Sequence, residues 1–323
     1  MAKNGGWFWT SGLGLLLLVL LAVLAVPTAG AFALIYSITH PQRDKQVVDP
    51  SDFLLPAEEV TFSSTDGVPL SGWFVRGRPG GTVILLCHDL GSSRASLMNA
   101  AVALNRAAYP LLLFDFRRHG KSGGSTSTLG VEERQDILGA LAYLRTRKDI
   151  DAGRFGIWGV GMGAYAAVLA ALEDKSLAAL ALDSLYPDVP THLDRLVREK
   201  VPPALDRVVP AVHLLYDSYL GKRLQGFSVR GRVHDLAGRN ILFIAGADSP
   251  ERAQEERDLY DALPEGPEGD KNLLQLKVSG VSGLYAEDRK KYDETLVAFF
   301  ARYLSPESGR RDQRKQAIEV LEK

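Results

Sequence analysis

Residues 155–164 read Phe-Gly-Ile-Trp-Gly-Val-Gly-Met-Gly-Ala. A short apolar strand carrying Phe155 and Ile157 runs into a glycine-rich turn, and the turn opens a helix predicted over residues 165–172. A strand that turns so sharply into a helix serves one of two chemistries. In Gly-x-Ser-x-Gly the central serine stands exposed above the strand as a nucleophile. In Gly-x-Gly-x-x-Gly/Ala a pair of phosphates sits on the helix N-terminus. Gly159, Gly161 and Gly163 fit the first pattern except at its centre, where Gly161 replaces the serine. Gly159, Gly161 and Ala164 fit the second, and Asp183 ends the next predicted strand 22 residues after Gly161, where a ribose-binding acid belongs.

Other side chains are weighed against quieter roles. His88 and His119 are bases or metal ligands in one reading. In the other, which the setting favours, they orient loops by hydrogen bonding to backbone. Ser92 and Ser93 follow a glycine at a predicted helix start, where serine is an ordinary cap; as displaced nucleophiles they have no base that the sequence can place beside them. His192, His213 and His234 are scattered without ligand spacing and receive no function. Cys87, the single cysteine, lies in an apolar run and reads as a small buried residue. No metal site is expected.

These residues need a scaffold. The chain has 323 residues, 46% hydrophobic and 24% charged, with a formal net charge of −1. That is an ordinary globular domain plus an appendage, without the basic excess of a nucleic-acid-binding surface.

The appendage is residues 1–40. No charged residue lies between Lys3 and Arg43, and residues 13–36 are apolar almost throughout. As a helix they span about 36 Å, enough to cross a bilayer. Trp7 and Trp9 on one flank and Tyr36 on the other suit the interfaces. Ala29-Gly30-Ala31 resembles a signal-peptide cleavage site, but the apolar run continues past it, so an uncleaved single-pass anchor is the preferred reading. Lys3 and the amino terminus on one side nearly balance Arg43 and Lys45 on the other, with a slight lean to a soluble domain on the extracytoplasmic side.

A linker over 41–58 leads to a predicted hairpin over 59–76, then buried strands at 82–87 and 111–114 alternating with helices at 95–107 and 131–147. The glycine turn and its helix follow, then strands at 178–182, 241–245 and 273–278 and a last amphipathic helix. This alternation predicts a mostly parallel, doubly wound α/β sheet. Residues 186–235, rich in proline, interrupt it as a helical cap insertion. Residues 305–323 form a charged tail.

In this order the motifs resemble those of the α/β-hydrolase superfamily, in particular its cap-bearing serine-aminopeptidase-like and dienelactone-hydrolase-like members, over residues 59–304. His88-Asp-Leu-Gly91 resembles the His-Gly-x-Gly oxyanion loop, with Asp89 in place of a glycine. Asp115-Phe-Arg-Arg-His-Gly-Lys-Ser122 resembles Asp-x-Arg-Gly-His-Gly-x-Ser, with Arg118 in place of a glycine. The turn at 159–163 takes the place of the nucleophile elbow, and Ala245-Gly-Ala-Asp248 resembles the strand end that presents the catalytic acid.

The resemblance implies a serine, acid, histidine triad in that order. Gly161 stands at the serine, Asp248 at the acid and Gly283 at the histidine, and no histidine follows His234. Two of three members are absent. The backbone N–H groups of Leu90 and Met162 would line an oxyanion hole. Glycine accepts the strained elbow angles at little cost, so the turn survives without its nucleophile. The expectation is therefore a membrane-anchored hydrolase-like protein without serine-hydrolase activity or cofactor, binding an unknown small molecule or protein at the cap or cleft. Two alternatives stay open: an ester or amide hydrolase with non-standard catalytic residues, and a nucleotide (NAD/FAD)-binding protein using Gly159, Gly161 and Ala164.

Overall fold

The structure is a computed structural model that describes residues 5–44, 48–201, 209–220, 227–264, 269–278, 284 and 286–304. It divides into two compact units, residues 40–191 with 226–323, and residues 1–39 with 192–225.

The larger unit holds an eight-stranded sheet in the order β1-β2-β4-β3-β5-β6-β7-β8. The hairpin β1 (Ala57–Ser63) and β2 (Pro69–Val75) is antiparallel, and β2 also pairs antiparallel with β4 (Leu111–Phe114). The other pairings are parallel: β3 (Thr82–Cys87) between β4 and β5 (Asp151–Val160), then β6 (Leu177–Asp183), β7 (Asn240–Gly246) and β8 (Lys271–Leu276). All six side chains of β3 are buried, as expected of a strand covered on both faces. The last strand starts two residues earlier than its apolar run suggests, because Lys271 and Asn272 continue the ladder with Ile241 and Leu242.

Strand alternation divides the core. Ile84, Leu86, Leu111, Leu113, Trp158 and Ala181 share one cluster with residues of α2 (Met98–Arg106) and α9 (Ala286–Leu304). Their neighbours Leu85, Leu112 and Ile157, also fully buried, point the opposite way. That side is covered by α3 (Glu133–Arg145) and α4 (Met162–Glu173). α8 (Pro250–Ala262) packs on β7.

The smaller unit combines α1 (Gly5–Thr39) with most of the insertion. That insertion carries α5 (Val189–Lys200), which begins in the larger unit, and α6 (Val209–Leu220). α6 packs on α1, with Phe32 edge-on to Tyr219 at a ring separation of 6.0 Å. The separable insertion is thus narrower than the predicted 186–235. Tyr186 stacks on Tyr165 at 4.5 Å and donates to the Leu129 carbonyl. Val229 of α7 (Val229–Arg232), Val233 and Leu236 are buried in the larger unit.

The helix expected over 13–36 is present within the 35 residues of α1. Among the described residues no helix is long and apolar enough to cross a membrane. Many side chains of α1 before residue 28 lie outside the description, so membrane insertion stays a reading of the sequence. The tail over 305–323 also lies outside the described residues.

Candidate functional site

β5 ends at Val160 and α4 begins at Met162, leaving one residue to make the turn. That residue is Gly161, with φ +52° and ψ −111°. This combination lies outside the regions that residues with a Cβ normally adopt. The flanking glycines are needed for a different reason. A Cβ on Gly159 would come within 2.6 Å of the Ala164 backbone nitrogen, and one on Gly163 within 2.4 Å of the Cys87 carbonyl oxygen. The turn is a strand-to-helix elbow pressed against the end of β3.

The second residue beyond this strand end decides what the elbow can do. Asp89 Oδ1 accepts a hydrogen bond from the Met162 N–H at 2.8 Å and another from the Leu90 N–H at 2.7 Å. These are the two donors the sequence resemblance assigns to an oxyanion hole, and both point at one carboxylate oxygen of the chain itself. The carboxylate also fills the volume of the missing side chain. A Cβ on Gly161 would stand 2.1 Å from Asp89 Oδ1 and 2.6 Å from Oδ2. Burial raises the Asp89 pKa, opposed by the N–H groups of Met162 and Leu90 and by the positive charge of Arg252.

Asp248, at the acid position beyond β7, pairs with Arg252 one turn along α8, at 3.6 Å. Arg252 therefore acts on two carboxylates, Asp248 and Asp89. Gly283 and the surrounding loop lie outside the described residues.

The two loop histidines are held by backbone on both ring nitrogens. His88 Nδ1 donates to the Asp89 carbonyl at 2.7 Å, and Nε2 accepts from the Phe116 N–H at 3.0 Å. His119 Nδ1 donates to the Arg117 carbonyl at 2.8 Å, and Nε2 accepts from the Gly91 N–H at 3.1 Å. Burial, the largest influence on each, lowers both pKa values, that of His88 strongly. Both are neutral loop staples with no lone pair left for a metal or a substrate proton. Among the described residues no cluster of three or more His, Cys, Asp or Glu could hold a metal ion.

The serines correct one expectation. Ser93 precedes the 3-10 turn Arg94–Leu97 but makes no side-chain capping bond; its hydroxyl donates to Asp44 Oδ2 at 2.8 Å. Ser92 donates to Ser96 at 2.8 Å. Neither hydroxyl is bonded to a histidine.

The nucleotide reading requires an available Asp183. Its carboxylate is buried, with Oδ2 accepting from the Tyr292 hydroxyl at 2.7 Å and Oδ1 from Ser184 at 2.8 Å. Trp158 Nε1 donates to the same Tyr292 oxygen at 2.8 Å, closing a buried Trp–Tyr–Asp chain beneath α9. With the Met162 N–H given to Asp89, the elbow offers a phosphate neither its first helical donor nor the ribose acid. Gly159, Gly161 and Ala164 belong to the elbow.

Buried ions hold the loops around the site. Arg94 lies over the Trp73 ring at 4.1 Å and pairs with Glu59 at 2.8 Å. Arg117 pairs with Asp136 at 2.7 Å and with Asp66 at 2.8 Å. Asp115 accepts from the backbone N–H groups of Arg94 and Lys121, tying the loop after β4 to the one after β3. The sequence places Asp115 and Arg117 in the 115–122 motif but gives no sign of their burial or partners, and Arg94 carries no signal there at all.

No family model matches the chain. An uncharacterized Mycobacterium tuberculosis protein is 30% identical over 179 residues, 52% of this chain and 61% of that protein. An Arabidopsis thaliana alpha/beta hydrolase domain-containing protein is 26% identical over 176 residues, 53% of this chain and 56% of that one. The chain thus spans between about a third and three fifths of the length of the curated relatives it matches. A Pyrococcus furiosus esterase structure superposes with a TM-score of 0.67 at 22% identity, covering 83% of this chain and 99% of that one. A dienelactone hydrolase from Anabaena variabilis gives 0.53 at 17% identity, covering 77% and 100%. The fold is that of the α/β hydrolases.

Proposed function

We propose that this chain is a membrane-anchored α/β-hydrolase-fold protein without serine-hydrolase activity, working by binding rather than turnover. One observation carries this reading: the Asp89 carboxylate occupies the Leu90 and Met162 donors and the space above Gly161. Acyl transfer needs a nucleophile, a base and donors free for the developing oxyanion. Here the first is replaced by glycine and the donors are engaged by the chain itself. The only base that the family order allows falls at Gly283. Anchoring through residues 13–36 is supported by 24 successive residues without a charge. Exposure of the full chain in detergent to a fluorophosphonate, followed by mass mapping of every serine, tests the reading. No adduct is expected, and stoichiometric modification of any one serine refutes it.

A further inference from the structure

The loop after β4 carries another departure from the family pattern. Arg118 stands at a glycine position and adopts φ +68°. A side chain is strained there, and glycine would remove the strain. Among the described residues no side-chain contact of Arg118 offsets that cost: its Nε is buried without a hydrogen-bond partner, and its guanidinium forms no ion pair. Three other arginines near these loops behave differently. Arg94, Arg117 and Arg147 each meet at least one carboxylate within 2.8 Å.

Arg118 opens onto a depression of about 760 Å3 lined with Gln42, Arg43, Asp44 and Gly91. Arg43 is fixed there by its Nη1, which donates to the carbonyls of Gly120 at 2.8 Å and Ser122 at 2.5 Å. Like Arg118, it meets no carboxylate among the described residues. The one acid of the depression, Asp44, accepts from Ser93. Two guanidinium groups therefore share one open hollow with a single carboxylate. Like charges held together in this way are relieved by an anion, and the planar fork of arginine suits phosphate oxygens.

We propose that this depression binds a phosphate-class anion between Arg43 and Arg118. It goes beyond the binding role proposed above and does not depend on the state of the elbow. Two sources supply that chemistry, a free phosphate compound or the headgroup of an anionic lipid. The second rests on the anchor reading, because Arg43 follows the end of α1 by four residues.

The test uses the full chain in detergent, with thermal unfolding followed against inorganic phosphate at ionic strength held constant by sodium chloride. A ligand that binds only the folded state raises Tm along a saturating curve. A saturating rise of a few degrees is expected for the wild type and none for Arg118→Gly or Arg118→Met. The glycine variant fits φ +68° and is expected to unfold without ligand at the same or a higher temperature. Dihexanoyl phosphatidate, titrated against dihexanoyl phosphatidylcholine, separates the sources. A midpoint at least tenfold below that of phosphate assigns the lipid headgroup, and equal midpoints assign the free anion. A flat wild-type response to both phosphate and phosphatidate overturns the proposal, and so does an undiminished rise in both variants.

Discussion

Asp89 Oδ1 lies 2.8 Å from the backbone nitrogen of Met162, the first residue of α4, and the same oxygen accepts from Leu90 at 2.7 Å. A carboxylate oxygen thus rests where an oxyanion would form, supplied from the end of the neighbouring strand. Asn at position 89 keeps an acceptor there and removes the charge. Asp89→Asn is expected to be at least as stable as wild type at pH 7. The sign follows from a folded-state pKa raised by burial: the penalty is absent below the ordinary carboxylate range and develops as pH rises through the folded value. The advantage of Asn should therefore grow with pH and vanish in acid. Asp89→Leu leaves two N–H groups without an acceptor and should cost about 1–3 kcal/mol for each one left dry. Urea unfolding between pH 4 and 8 reads both.

Gly161→Ser forces a Cβ to within 2.1 Å of Asp89 Oδ1 at φ +52°. It should cost about 2 kcal/mol or more. Adding Asp89→Gly removes the clash, so the double variant should be more stable than Gly161→Ser alone, a non-additivity read by a double-mutant cycle. Neither variant has a base and neither should label with fluorophosphonate. Any restoration requires Gly283→His as well.

The Trp158–Tyr292–Asp183 chain gives an independent test of the interior. Tyr292→Phe removes one oxygen that accepts from the indole and donates to the carboxylate, both buried. A loss of about 1–3 kcal/mol in unfolding free energy is expected, since both partners stay behind without it. An unchanged denaturation midpoint would contradict the pairing.

For the anchor, the expectation is retention of the full chain in the membrane pellet after sodium carbonate washing, because apolar burial is insensitive to salt and pH. Release into the supernatant, with a mature N-terminus at Phe32, would favour the cleaved signal peptide instead.

Much of this was legible in the sequence because the signals were strong and local. The run over 82–87 is β3 to the residue, since a strand buried on both faces is apolar almost throughout, with only Thr82 polar at its start. The absence of a serine at 161 and of any histidine after His234 needed no structure at all. What could not be read was where side chains from separate loops meet. Asp89 was visible as a replaced glycine, but its contact with Met162 spans 73 residues of chain. Asp183 looked equally suited to a ribose until Tyr292, 109 residues on, was seen to donate to it. For the helical insertion, proline spacing marks the interruption between β6 and β7 without saying which helices pack together, and α6 packs on α1.

The central claim is that this elbow is empty of hydrolytic chemistry. It is tested most directly by turnover of short-chain p-nitrophenyl esters and acyl thioesters by the purified full chain. Rates from wild type and from a Ser92→Ala/Ser93→Ala double variant are compared with a protein-free control. The account predicts that all three coincide. Turnover that copurifies with the wild type and disappears in the double variant would contradict it.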